Sequence, residues 1–101
     1  MVDQFLTLIA QRACRGITIA ACAKACGVDR TTLFRRVSAI TGRNPQDHLH
    51  DVRISHACTL LRTTDHTLAT IAKLSGYGSS QRFCDAFLKR YPVAPGTWRA
   101  G

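Results

Sequence analysis

Thr18-Ile19-Ala20-Ala21-Cys22-Ala23-Lys24-Ala25-Cys26-Gly27-Val28 returns 49 residues later as Thr67-Leu68-Ala69-Thr70-Ile71-Ala72-Lys73-Leu74-Ser75-Gly76-Tyr77. The echo continues at an offset of 50: Leu33 answers Phe83, Val37 answers Phe87 and Pro45 answers Pro95. The offset grows by one because the second copy carries an extra residue in its turn, around Gly78-Ser79. Each copy opens on a Thr, whose hydroxyl suits a helix N-cap. Apolar residues follow at helical spacing, then a Gly, which adopts a positive φ without steric cost, then a second helical run. The chain thus spells a helix-turn-helix twice.

Working outward, Val2–Ala13 carries Phe5, Leu8, Ile9 and Ala13 at helical spacing, which predicts a first amphipathic helix ended by Arg15-Gly16. The helix after Thr18 turns Ile19, Cys22, Ala23 and Cys26 inward. Asp29 caps the next, about Arg30 to Thr41, with Leu33, Val37 and Ile40 inward and Gly42 at its end. Asn44-Pro45 opens a long helix, about Gln46–Arg62. Proline fits its first turn, where the missing N–H would go unpaired anyway. Its inner stripe is expected to be Leu49, Val52, Ala57, Leu60 and Leu61. In the second copy Thr67 caps Leu68–Ser75, and Gly76-Tyr77-Gly78 turns. Ser79 or Ser80 then starts a helix to about Tyr91, which Pro92 and Pro95 stop before a short helix holding Trp98. No stretch alternates as a strand does. The expected fold is all-α: two helix-turn-helix subdomains joined by a long central helix. They form one domain over 1–101, with lobe one at about 2–43, the linker helix at about 46–62 and lobe two at about 66–99.

Charge points to a partner. Fourteen Lys and Arg face six Asp and no Glu, a net charge of +8, and Arg outnumbers Lys eleven to three. The planar guanidinium suits phosphate and guanine recognition. On a tandem helix-turn-helix this balance points to double-stranded DNA. Membranes are the other basic-surface partner, but no apolar run of about 18 residues and no lipidation signal supports one. Met1-Val2-Asp3-Gln4-Phe5 lacks the pattern of a secretion signal, so the expected location is the cytoplasm. At 101 residues the chain is too short for a ligand-sensing domain beside a DNA reader, so an effector domain is expected to be absent from it.

The string Arg53-Ile54-Ser55-His56-Ala57-Cys58-Thr59-Leu60-Leu61 follows R-x-x-x-A-x-x-L-L. After it come Ile71-Ala72, Gly76-Tyr77, Phe83, Phe87, Pro95 and Trp98-Arg99. In that order and spacing, residues 5–99 resemble the DNA-binding domain of AraC/XylS-type transcription regulators. Leu33-Phe34-Arg35-Arg36-Val37, with Thr63-Thr64-Asp65 and Gly76-Tyr77-Gly78-Ser79, is similar to the branch with an amidotransferase-like sensor domain upstream. The resemblance implies two lobes, each placing one recognition helix in successive major-groove segments. It also implies that Thr31, Phe34 and Arg35 reach base edges, and that RNA polymerase is a possible second partner. Pro92 departs from the family, which has a Gly at the end of the last recognition helix. Proline also stops a helix, so a changed turn is expected and not a lost lobe.

If Leu33, Val37 and Ile40 face inward, Arg30, Thr31, Phe34, Arg35 and Ser38 face out. The Arg35 fork matches guanine O6 and N7, and Thr31 and Phe34 suit a thymine methyl. Phe34 also fits a partly buried rim position. In lobe two Phe83, Ala86 and Phe87 face inward, leaving Ser80, Gln81, Cys84 and Asp85 outward. Gln81 suits adenine, and Asp85 accepts from cytosine N4 or pairs with Arg82 or Lys89. An acid here repels phosphate, so lobe two should hold DNA less tightly than lobe one. The expected backbone contacts are Thr18, Arg30, Arg43, Thr67, Arg82 and Arg99, the two threonines marking helix N-termini. His48 is the repeat equivalent of Trp98, which favours packing.

Nothing in the sequence resembles a phosphate-cradling loop or a nucleophile–base pair, so no catalytic residue, cofactor or metal ligand is assigned. The rival reading on the same scaffold is a thiol- or metal-responsive regulator using Cys22 and Cys26. They lie one turn apart, but at the repeat positions of Ile71 and Ser75, as small core residues would. A disulfide across that turn is poor geometry: such Cβ atoms start about 5–6 Å apart, and a disulfide wants about 3.5–4.5 Å. The other rival is a protein-interaction module that contacts RNA polymerase and has lost DNA binding.

Overall fold

The structure, a computed structural model, describes residues 1–100. Among the described residues seven helices follow one another: α1 Val2–Arg12, α2 Ile19–Ala25, α3 Arg30–Thr41, α4 Pro45–Thr63, α5 Leu68–Leu74, α6 Ser80–Arg90 and α7 Pro95–Ala100. A 3-10 turn, Ala13–Arg15, extends α1 before Gly16. No strand occurs among the described residues, and none of their helices is long and apolar enough to cross a membrane.

The repeat is visible in the caps. Thr18 Oγ1 accepts from Ala21 N at 3.1 Å, and Thr67 Oγ1 accepts from Thr70 N at 3.2 Å. Asp29 caps α3 through Thr32 N, and Ser79 caps α6 through Arg82 N. Asn44 caps α4 through Asp47 N, with Pro45 in the first turn. Pro45 and Pro95 are both buried, each opening the helix that closes its lobe. The endings differ. Gly42, at φ +77, ends α3, whereas α6 ends on extended Tyr91 before Pro92. The residue before a proline disfavours the helical region, so Pro92 stops α6 without a glycine.

Two hydrophobic cores result. The first holds Phe5, Ile9, Ala13, Cys22, Leu33, Val37 and Leu49. The second holds Ile54, Ala57, Cys58, Leu61, Ile71, Phe83 and Phe87, with Tyr91 and Trp98 packed against it. Helix α4 is a wall of both. Pro45, Leu49 and Val52 lie on one face by helical spacing and serve lobe one. Ile54, Ala57, Cys58 and Leu61 form a second stripe that serves lobe two. From Leu49 to Ile54 is five residues at about 100° each, so the second stripe is rotated by roughly 140°. The single stripe expected from the sequence is therefore corrected: there are two, Ile54 and Cys58 are buried in the second, and Val52 and Leu60 are only half-buried.

Ile40 is a second correction. Expected inward, it is 72% exposed. Thr41 turns toward α4 in its stead, with Oγ1 2.8 Å from His48 Nε2 and donating to the Val37 carbonyl at 2.8 Å. Ile40 sits one residue earlier, about 100° round the helix. His48 also meets Phe5 edge-on, while Trp98 packs on Phe87 and Tyr91, so the two repeat-equivalent rings both pack.

Denaturant unfolding separates these roles. Leu33→Ala, which opens a cavity, should cost about 2–5 kcal/mol. Cys22→Ala should cost roughly 1 kcal/mol. Ile40→Ser should stay within about 0.5 kcal/mol of the parent. A loss at Ile40 equal to that at Leu33 would contradict the exposed position.

Candidate nucleic-acid interface

Helices α3 and α6 are the second helices of the two motifs, and each turns one face to solvent. On α3, Arg30, Thr31 and Arg35 are exposed, and Phe34 is 52% exposed. A half-bare ring beside polar neighbours fits neither a core nor a fully solvated role. It borders a recess shared with Ile19, Arg30, Thr31, Pro45 and Gln46. Arg35 has no carboxylate within ion-pair distance; among the described residues Asp51 takes part in both ion pairs. Its five N–H donors are therefore available.

On α6, Gln81, Arg82 and Asp85 are exposed, whereas Ser80 and Cys84 are half-buried. These last two, expected to face out, lie on the flanks of the helix. Ser80 begins α6, and Cys84 is next to Phe83 in the sequence. Gln81 Nε2 donates to Asp85 Oδ1 at 2.9 Å, so these two act as one unit. With one amide N–H engaged, the pair offers mainly acceptors: the Gln81 carbonyl and the second Asp85 oxygen. Asp85 thus pairs with Gln81 and not with Arg82 or Lys89.

The expected backbone contacts divide. Thr18 and Thr67 are exposed at the starts of α2 and α5, with their hydroxyls used in capping. Arg30 and Arg82 are exposed and free of ion pairs. Arg43 is paired with Asp51, which Arg90 also approaches at 3.0 Å. The Arg43 hydrogen bond is the main cause that holds the Asp51 carboxyl below its usual range. That pair is present at neutral pH and is lost as pH falls through the lowered value. Arg99 is the clearest departure. Its Nε donates to Leu61 O at 3.1 Å, Nη1 to His66 O at 2.7 Å and Nη2 to Thr64 O at 3.0 Å. Three donors are committed to carbonyls of the last turn of α4 and the loop after it, so Arg99 ties α7 to the end of α4 and is ill placed to clamp a phosphate.

Three neighbours of this surface are not among the site residues expected from the sequence. Arg53 donates from Nε to Ala13 O at 2.8 Å and from Nη2 to Ile17 O at 2.9 Å. Gln46 lines the recesses beside both lobes. His50 stacks on Tyr77, whose phenol burial pushes up to about 12. These contacts join residues far apart in the chain, and only Arg53, inside its R-x-x-x-A motif, carried a local signal. Cys22 is fully buried, as is Ile71 at the equivalent position, and burial pushes its thiol pKa up. That is the setting of a packing residue, not of a reactive thiol.

Comparison with known proteins agrees with this geometry. A helix-turn-helix domain family matches residues 22–101. An AraC-like transcription regulator of Streptomyces lividans is 36% identical over 99 residues, covering 98% of this chain and 33% of that protein. The C-terminal domain of AraT, a response regulator from Geobacillus stearothermophilus, superposes with a TM-score of 0.92 at 25% identity, covering 98% of this chain and 83% of that one. The DNA-binding domain of AdpA, solved with a target DNA, shares the fold at a TM-score of 0.90 and 22% identity, over 98% of this chain and 89% of that one. The chain spans a third or less of the length of the curated relatives it matches.

The unpaired basic side chains carry a measurable consequence. Each phosphate neutralised contributes about −0.9 to the slope of log K against log salt, so a slope of roughly −4 to −8 is expected on duplex DNA. A slope near zero in a salt titration would remove phosphate contact as a source of affinity.

Proposed function

The chain belongs to the AraC-type helix-turn-helix family of DNA-binding transcription regulators, and from that premise we propose how it reads its site. Helix α3 presents Arg35 to guanine O6 and N7, with Thr31 and Phe34 beside it for a thymine methyl. Helix α6 presents the Gln81–Asp85 acceptor unit to an exocyclic amine, cytosine N4 or adenine N6. The single observation that carries the reading is the pairing of a free Arg35 with a coupled Gln81–Asp85 at corresponding positions of the repeat. The two lobes therefore read different bases, and one chain binds an asymmetric site.

Backbone contacts come from Arg30 and Arg82, with the N–H groups that open α2 and α5 beside Thr18 and Thr67. Arg43 joins them when Asp51 releases it. The molecule measures 42 × 23 × 21 Å, so the centres of two lobes in line lie roughly half that length apart, closer than one turn of B-DNA, about 34–36 Å. For both recognition helices to enter the major groove, the duplex bends toward the protein.

Arg35→Ala tests the assignment. It should cost about 1–3 kcal/mol on the best site and relax preference at one or two base pairs. Equal weakening on every duplex, measured by fluorescence anisotropy across single-base variants, would make Arg35 a phosphate contact instead.

A further inference from the structure

Gly27 and Gly76 hold the same place in the repeat. Both have positive φ, +71 and +90, and both close the same turn, donating N–H to Lys24 O and Lys73 O. Their surroundings differ. A Cβ on Gly27 would meet nothing within 4 Å. A Cβ on Gly76 would lie 2.4 Å from the Ala13 carbonyl oxygen, 3.0 Å from Arg53 Nε and 3.0 Å from Cys14 Cα. The turn of lobe two is thus pressed against the backbone of lobe one. The same Ala13 oxygen accepts from Arg53 Nε, and the Arg53 guanidinium stands 5.8 Å from the centroid of the Tyr77 ring. One side chain of α4 therefore holds the α1–α2 connection and the α5–α6 turn together.

We infer that Gly76 and Arg53 form a joint that locks the two lobes in one orientation, and so set the spacing between half-sites and not the bases within them. The inference rests on both lobes reading DNA. Helix α4 fixes how far apart the lobes sit along its axis. A contact off that axis is needed to stop one lobe rocking against the other. Asp51 makes a second tie, to Arg43 of lobe one and Arg90 of lobe two, but both arginines are exposed and exchange with water and salt. The Gly76 contact is steric, and nothing in solution replaces it. Neither Gly76 nor Arg53 lies on α3 or α6, so both are positioning residues. One base pair of spacing turns a half-site by about 34–36° round the duplex, so a small rocking of a lobe changes which spacing fits.

Two measurements on the 101-residue chain test this, with Gly76→Ala and Arg53→Met compared to the parent and circular dichroism confirming that each is folded. Residual dipolar couplings of the free protein should fit one alignment tensor in the parent and need two in the variants. Affinity for duplexes whose half-sites are moved by single base pairs should vary about tenfold or more for the parent, and flatten or shift its optimum in the variants. Folded variants that keep one tensor and the parental spacing profile overturn the inference. If Gly76→Ala does not fold, Arg53→Met decides by the same readouts. A parent with one tensor and no spacing preference counts against the two-lobe reading itself and removes the spacing role with it.

Discussion

A single helix of 19 residues is asked to close two hydrophobic cores, and the arrangement of the molecule depends on it. Helix α4 gives its first half to the core around Phe5 and Leu33 and its second half to the core around Phe83 and Phe87. Because the two apolar stripes are rotated relative to each other, the lobes attach to different sides of one rod. Their relative orientation is thus built into the order of residues along α4. Neither lobe has a full core without it: Leu49 is fully buried in one, and Ala57 and Leu61 in the other. The ion pairs of Asp51 and the clamps of Arg53 and Arg99 then hold the chain around α4.

Within that frame the two reading helices are alike in backbone and unlike in chemistry. Phe83 and Phe87 fill the places of Leu33 and Val37, so each lobe builds the same platform. The outward residues depart from the repeat where bases would be met. Arg35 is replaced by Asp85 and Thr31 by Gln81, while Phe34 is answered by the half-buried Cys84. On the proposed reading, a donor fork on one helix and an acceptor pair on the other would give the site a direction. On that reading the acid on α6 would also shift the burden of phosphate attraction to α3 and its surroundings.

Much of this was legible in the sequence, because it is written locally. The Thr caps, the turn glycines and the Asn44-Pro45 start each depend on a few adjacent residues, and each sits within a residue of its expected place. What was not legible depends on contacts between distant segments. A stripe that changes face midway looks like one stripe when read with one period, which hides Ile54 and Cys58. Ile40 has inward spacing, but the last turn of α3 faces α4 through Thr41, and spacing alone does not show where a neighbour ends. Arg99 looked like a free surface cation because its three carbonyl partners lie more than 30 residues away. Gly76 looked the same as Gly27, and only the fold shows that one is crowded and the other is not.

The central claim is that one chain reads two different half-sites through α3 and α6. The most direct measurement is selection of bound duplexes from a random pool, followed by sequencing. The account predicts one asymmetric motif with two blocks of preferred bases roughly 10 bp apart, one block centred on guanine and the other on a cytosine or adenine. A single block, or two blocks with the same bases, would contradict it.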